Sequence, residues 1–339
     1  MHRRLYPFSL PIFSIVASLL SGCGVALPSS QTPLMSKLTQ PPPPECADPK
    51  NLVCELLTGS PSYVTTKTSK VAYQKFGRGD PLVLVHGWPL NRYTWRRMLP
   101  YLAEHFTVYA IDVPGGGDTE WSNATDFTWP GQGKTMKAVV DALGITRYYL
   151  FGQDSGAVIA RELALLDNAH VIKFAMANTE VPDRRPPQAL IDAQAKMSMW
   201  NWAVRRTLRS KFDDPEFLQS DEGFGGSFYD RSYVLGDFRK YILTPIVIDP
   251  THTEGHRRFL EGWDWKELDS LRLRHQQITV PVMFVWGEDD PTFPLAHAEE
   301  MSKQFPNFKG ITRIAKGKLL IHEERPKEVS EALVAFFKD

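Results

Sequence analysis

Short apolar runs alternate with segments of helical spacing along most of this chain. Val71 to Phe76 and Pro81 to Val85 read as strands, and Tyr93 to Glu104 as a helix. Thr107 to Asp112 reads as a third strand, ending in Pro114-Gly115-Gly116-Gly117. A helical stretch from Gly133 to Leu143 leads into a strand at Tyr148 to Gly152. Ala157 to Leu166 then has helical spacing, and Val171 to Ala177 is again strand-like. The alternation stops near residue 183. From there to 276 the chain is helical, aromatic and arginine-rich. It resumes with a strand at Val280 to Trp286, a helix at Pro294 to Phe305 and a strand at Gly310 to Ile314. A last helix runs from Pro326 to Phe337, with Val329, Leu333 and Phe336 on one side. Strands separated by helices predict an α/β fold, with a mostly parallel sheet covered on both faces. The helical block predicts an insertion between the two parts of that sheet. The expected division is therefore core over 60–182, helical cap over 183–276 and core again over 277–339.

The N-terminal part departs from this pattern. His2, Arg3 and Arg4 precede a largely apolar stretch, Leu5 to Leu20, that Pro7 and Pro11 interrupt and that is short for a membrane-spanning helix. Leu20-Ser21-Gly22-Cys23 follows. Residues 1–22 resemble a bacterial lipoprotein signal peptide, which implies cleavage before Cys23, a lipid on that cysteine and, with Gly24 next, an outer-membrane protein facing the periplasm. A plain secretory signal is the alternative. Residues 23–59 are expected to be a tether, rich in Pro, Ser, Thr and Gln up to Pro41-Pro42-Pro43-Pro44, followed by a segment bearing Cys46 and Cys54. Those two cysteines suggest a disulfide in an oxidising compartment. Lys plus Arg and Asp plus Glu stand at 39 each, so no net field favours nucleic acid. The expected attachment is to a membrane, through the lipid.

The chemistry concentrates in Tyr148-Tyr149-Leu150-Phe151-Gly152-Gln153-Asp154-Ser155-Gly156-Ala157. An apolar run ends in an acid between two glycines, and a helical pattern follows at once. This is the form of a nucleophile elbow, where the chain turns from strand into helix so sharply that only glycine fits two residues either side of the nucleophile. Gly152 and Gly156 centre the turn on Asp154. Centring it on Ser155 would put Gln153 and Ala157 at the crowded positions. A carboxylate nucleophile attacks alkyl carbon and leaves an ester to be hydrolysed, unlike a serine esterase.

Pro81-Leu82-Val83-Leu84-Val85-His86-Gly87-Trp88-Pro89, followed by the elbow, resembles the epoxide hydrolase and haloalkane dehalogenase branch of the α/β-hydrolase superfamily. The resemblance covers about 60–339. It implies that the backbone N–H groups of Trp88 and Ser155 stabilise developing negative charge, and that His86 is structural. In Phe284-Val285-Trp286-Gly287-Glu288-Asp289-Asp290-Pro291 the family acid falls on Asp290, with Glu180 as a second candidate. Family members carry Gly-His shortly before the Glu-Arg-Pro that opens the last helix. Here those positions are Lys318 and Leu319. His322 lies three residues on, a span of roughly 10 Å when extended, so a local shift would be needed to make it the base.

Gln153-Asp154 resembles the Gln-Asp of haloalkane dehalogenases, although Ser155 stands where the family carries Trp. The resemblance implies a small apolar organic substrate. Trp265, in Gly262-Trp263-Asp264-Trp265-Lys266, is a candidate hydrogen-bond donor to a leaving halide, and Tyr229, Tyr233 and Tyr241 are candidate donors for an opening epoxide. The expected function is hydrolysis through an Asp154 alkyl ester, haloalkane dehalogenase-like. The alternatives are an epoxide hydrolase and a catalytically impaired binding protein of the same fold. His252 and His256 have no evident third ligand, so no metal is expected, and no phosphate-binding or dinucleotide motif implies a cofactor.

Overall fold

The computed structural model describes Cys46, residues 51–184, Ile191, Gln194, Arg206 and residues 209–339. The expected signal peptide, Cys23, most of the tether and much of residues 185–208 in the expected cap lie outside the described residues. Among the described residues, nine strands form one sheet. They are β1 (Ser62–Thr65), β2 (Ser69–Gly77), β3 (Asp80–Val85), β4 (Phe106–Ile111), β5 (Glu120–Trp121), β6 (Tyr148–Gln153), β7 (Val171–Ala177), β8 (Val282–Gly287) and β9 (Phe308–Ile314). The order is β1-β2-β4-β3-β6-β7-β8-β9, with β5 on β2. Pairing is parallel from β4 through β9 and antiparallel at β1, β2 and β5. Every residue of β6 and β8 is buried, because helices cover both faces of a parallel sheet. β2, paired antiparallel towards the edge, alternates more between buried and exposed positions.

The helices of seven residues or more among the described residues are α1 (Leu52–Thr58), α2 (Trp129–Ala142), α3 (Ser155–Leu166), α4 (Pro250–Glu261), α5 (Trp265–Arg274), α6 (Leu295–Ser302) and α7 (Pro326–Lys338). Two differ from expectation. α1 falls inside the Cys46/Cys54 segment that follows the tether, where no helix was expected; Asn51 caps it, and Leu56 and Leu57 are buried in the core. Ordered packing thus begins before residue 60. Cys46 and Cys54 form a disulfide there, with Cα atoms 5.1 Å apart. The helix expected over Tyr93 to Glu104 is instead a 3₁₀ turn, Arg92–Trp95, and a short helix, Leu99–Leu102. Pro100 suits only the first turn of a helix, so it begins a new one rather than continuing the old.

Between β7 and β8 the described chain leaves the sheet and is helical. Its five-residue π-helix, Arg239–Leu243, runs into Pro245, which has no N–H to offer the Tyr241 carbonyl. Asn91 Nδ2 from the core supplies that donor at 3.0 Å. Gly255 in α4 lies against Gly115: a Cβ on Gly255 would come 2.9 Å from the Gly115 carbonyl oxygen. These contacts seat the helical region beside the strand ends.

The strand order then decides what meets what. Parallel neighbours lie about 4.8 Å apart, so the carboxyl ends of β3, β6, β7, β8 and β9 form one row. That row presents the His86–Pro89 turn, Asp154, the Asn178–Glu180 segment, Asp290 and the Leu319 loop side by side.

Candidate active site

Asp154 sits between β6 and α3 with φ 54° and ψ −143°, a conformation that side chains other than glycine rarely adopt. The flanking glycines have no room for anything larger. A Cβ on Gly156 would lie 2.4 Å from the His86 backbone, and one on Gly152 would lie 2.7 Å from Ala157 Cα. Gly87 is constrained in the same way, since its Cβ would come 2.4 Å from Asp154 Oδ2. The turn therefore pushes the carboxylate against the end of β3.

There it meets donors. The Trp88 N–H is shared between Asp154 Oδ2 at 3.1 Å and Ser155 Oγ at 2.8 Å, and the Ser155 hydroxyl lies 3.4 Å from Oδ2. The Ser155 backbone N–H also favours the ionised carboxylate. Burial, and next the charge of Glu180, nonetheless raise the Asp154 pKa well above the ordinary carboxylate range. His86 belongs to the scaffold: Nδ1–H donates to the Gly87 carbonyl at 2.9 Å, and Nε2 accepts from the Val113 N–H at 3.1 Å. Both nitrogens are used by the neutral ring.

Asp290 lies past the end of β8, two strands from Asp154, and is buried. Its partners are Asn178 Nδ2 at 2.6 Å and the Thr292 N–H at 2.8 Å, and burial pushes its pKa up to about 6. An amide stands where an imidazole was expected. Asn178 is fixed in turn by accepting the Gly287 N–H at 3.0 Å.

The expectation that a local shift would bring His322 to this acid is not met. Its Nε2 lies 2.7 Å from Thr94 Oγ1, and its ring packs against Trp95 with centroids 5.0 Å apart. Thr94 also donates to Glu323, which Arg96 holds at 2.8 Å. His322 therefore donates from Nε2 into a structural network, and burial pushes its pKa down to about 3. The cause is local. Gln153 Nε2 binds the Leu319 carbonyl at 3.0 Å, which pins Leu319 beside the elbow, and the helical turn Ile321–Glu324 carries His322 away.

Trp265 does not present a free donor either, because its Nε1–H goes to Gln194 Oε1 at 2.9 Å. In this segment Trp263, not Trp265, carries the unpartnered indole N–H. Its buried Nε1 has no hydrogen-bond partner among the described residues, and its ring meets Trp88 edge-on at 6.1 Å and stacks on Trp129 at 5.6 Å. Trp88, Trp129, Trp263 and Trp265 form one aromatic cluster. Of the three tyrosines, Tyr229 is exposed and Tyr233 stacks on Phe228. The Tyr241 hydroxyl is buried and has no partner among the described residues. Among the described residues no three His, Cys, Asp or Glu side chains are grouped to hold a metal ion.

A parallel sheet, an elbow with an acid at its tip and two N–H groups facing that acid define the class. Residues 80–325 match the alpha/beta hydrolase fold family, and the chain belongs to it. The protein is a hydrolase of that fold. It is similar to a haloalkane dehalogenase from Psychrobacter cryohalolentis, at 27% identity over 77% of this chain and 84% of that protein. It is also similar to epoxide hydrolase 4 of Mus musculus, at 24% identity over 88% and 83%. Among solved structures, an alpha/beta hydrolase fold protein from Burkholderia ambifaria superposes with a TM-score of 0.69 at 20% identity, covering 81% of this chain and 97% of that one.

Proposed function

We propose that the protein hydrolyses small apolar alkylating substrates, haloalkanes first among them, through a covalent ester on Asp154. The observation that carries this reading is the position of the Asp154 carboxylate at the tip of a strained elbow, with Oδ2 against the Trp88 N–H. Because Oδ2 already has its donors, Oδ1 is the oxygen free to attack. It forms a bond to the substrate carbon as the carbon–halogen bond breaks and the halide leaves. Water then adds to the ester carbon, and the same donors hold the oxyanion that forms at Oδ2. The unpartnered indole N–H of Trp263 suits a leaving halide, and the tryptophan cluster suits an apolar chain. Epoxide opening is the second reading. It is favoured by the buried, unpartnered hydroxyl of Tyr241, a proton source for an alkoxide.

The test is intact mass of the full-length chain after incubation with 1-bromobutane and with a terminal epoxide, with product assays alongside. Product, or an adduct mapped to Asp154 and lost in Asp154→Asn, is expected. Neither product nor adduct with either substrate class would favour the binding-protein reading, for which Leu319 at the usual base position is the argument. The N-terminal sequence supports a further part of the proposal, anchoring to a membrane through a lipid on Cys23. A Cys23→Ser variant should then lose both lipid labelling and membrane association.

A further inference from the structure

We propose that Glu180 is the general base of this site: once a substrate has alkylated Asp154, the Glu180 carboxylate takes the proton from the water that attacks the ester. The inference rests on the Asp154 ester mechanism proposed above.

The geometry comes from β7, the hydrogen-bonded neighbour of β6. The Asp154 N–H donates to the carbonyls of Ala177 and Asn178 at 3.2 and 3.0 Å. The Thr179 hydroxyl lies 2.8 Å from the Asp154 carbonyl oxygen and 3.1 Å from Glu180 Oε2. The Thr179 hydroxyl thus lies between the Asp154 backbone carbonyl and the Glu180 carboxylate, and Glu180 is the charge that acts most strongly on Asp154. Below them Arg161 of α3 donates to Thr179 Oγ1 at 3.0 Å and to the Glu180 carbonyl at 2.8 Å, which fixes the segment. The charged groups facing Glu180 are therefore Asp154 from the elbow and Arg161 from the elbow helix, with Glu162 and His275 beyond Arg161.

The other candidates are occupied elsewhere. His322 is bound to Thr94, Asp290 to Asn178 and Thr292, and Leu319 cannot take a proton. Glu180 has the required basicity, since burial lifts its pKa to about 7 against the pull of Arg161 and Thr179. Burial is the main cause of that lift, and burial persists when Asp154 is esterified.

The steps balance. Water gives a proton to Glu180 as its oxygen bonds to the ester carbon of Asp154. The tetrahedral intermediate collapses, the bond from that carbon to the alkoxy oxygen breaks, and the departing oxygen takes the proton back from Glu180. Alcohol leaves, and Asp154 returns as the acid, which loses its proton to solvent.

The test separates the two steps with 1-bromobutane, following the Asp154 adduct by mass in a single turnover. In Glu180→Gln, adduct decay should slow by about 10²–10⁴-fold. Adduct formation above pH 7, where Glu180 is ionised, should instead speed up, because the like charge that adds to burial in raising the Asp154 pKa is gone. A residue that merely holds the fold together would not move the two steps in opposite directions. Glu180→Asp should keep part of the decay rate and its pH dependence. In the wild type, decay should rise with pH to a plateau above about pH 8, since Asp154 itself no longer titrates in the ester. This last measurement needs no variant to fold. Wild-type decay in Glu180→Gln, or a wild-type decay that rises with hydroxide without a plateau, would overturn the role of Glu180 and leave the Asp154 ester standing. Absence of any adduct or product in the wild type would remove both.

Discussion

At Asp154 a backbone conformation that side chains avoid holds a carboxylate against two N–H groups, and this one residue should decide activity. Asp154→Asn keeps the size of the side chain but not its nucleophilicity. Its turnover should fall by at least about 10³-fold with no adduct, as for other nucleophiles. His322 should behave in the opposite way. Its Nε2 sits on Thr94, so His322→Gln should leave turnover per folded molecule close to the wild type while changing how stability depends on pH. The sign follows from its folded pKa of about 3, below an unfolded value of 6.5. Between those values only the unfolded chain binds the proton, so stability is full above pH 6.5 and falls as the pH drops. The variant should lose less stability than the wild type between pH 7 and pH 5, measured by thermal melts. The position of Asp154 at the elbow was legible because glycine spacing is a local steric signal. The environment of His322 was not, because Thr94 lies 228 residues away in sequence.

Among the elements, α4 carries the most informative conflict. Gly255 weakens a helix by about 1 kcal/mol relative to alanine, yet it stands inside α4. The structure gives it a reason, since its missing side chain lets α4 approach Gly115 and Trp121. Gly255→Ala should therefore lose more from overlap, about 1–3 kcal/mol, than it gains in propensity. It should also raise KM, because the His256 carbonyl of α4 holds the Trp88 indole at 2.9 Å. A lower melting temperature together with a higher KM is the expected pair; a higher melting temperature would show that the close approach is not needed. Strand positions were legible from β2 to β9, apart from the two-residue β5, because buried parallel strands such as β6 and β8 write continuous apolar runs into the chain and β2 writes an alternating one. The broken helix at Arg92–Leu102 and the buried α1 were not. Pro100 was read through rather than as a restart, and α1 adjoins a tether-like composition that hides it.

In the whole molecule, the buried carboxylates in the row of strand ends make stability respond to pH. Asp290 has a folded pKa of about 6, above its unfolded 3.8, so its contribution is present below pH 3.8 and is lost as the pH rises through 6. Asp290→Asn should accordingly gain stability relative to the wild type between pH 5 and pH 8, read from urea midpoints at the two values. Because no described imidazole touches Asp290, its turnover should fall by far less than the ~10²–10⁴-fold of a lost general base. An equal loss would mean that Asp290 does serve the reaction. By itself the sequence determined the fold class, the order of the parallel strands' chemistry and the residue at the elbow. Each depends on local rules: apolar periodicity, and glycine where no side chain fits. Only the tertiary structure decided which groups stand beside that residue. It put Asn178 on Asp290, turned His322 and Trp265 towards other partners, and brought Glu180 next to Asp154. Those pairings depend on which strands are neighbours and on how far a turn carries a side chain, and neither is set by the residues close by in sequence.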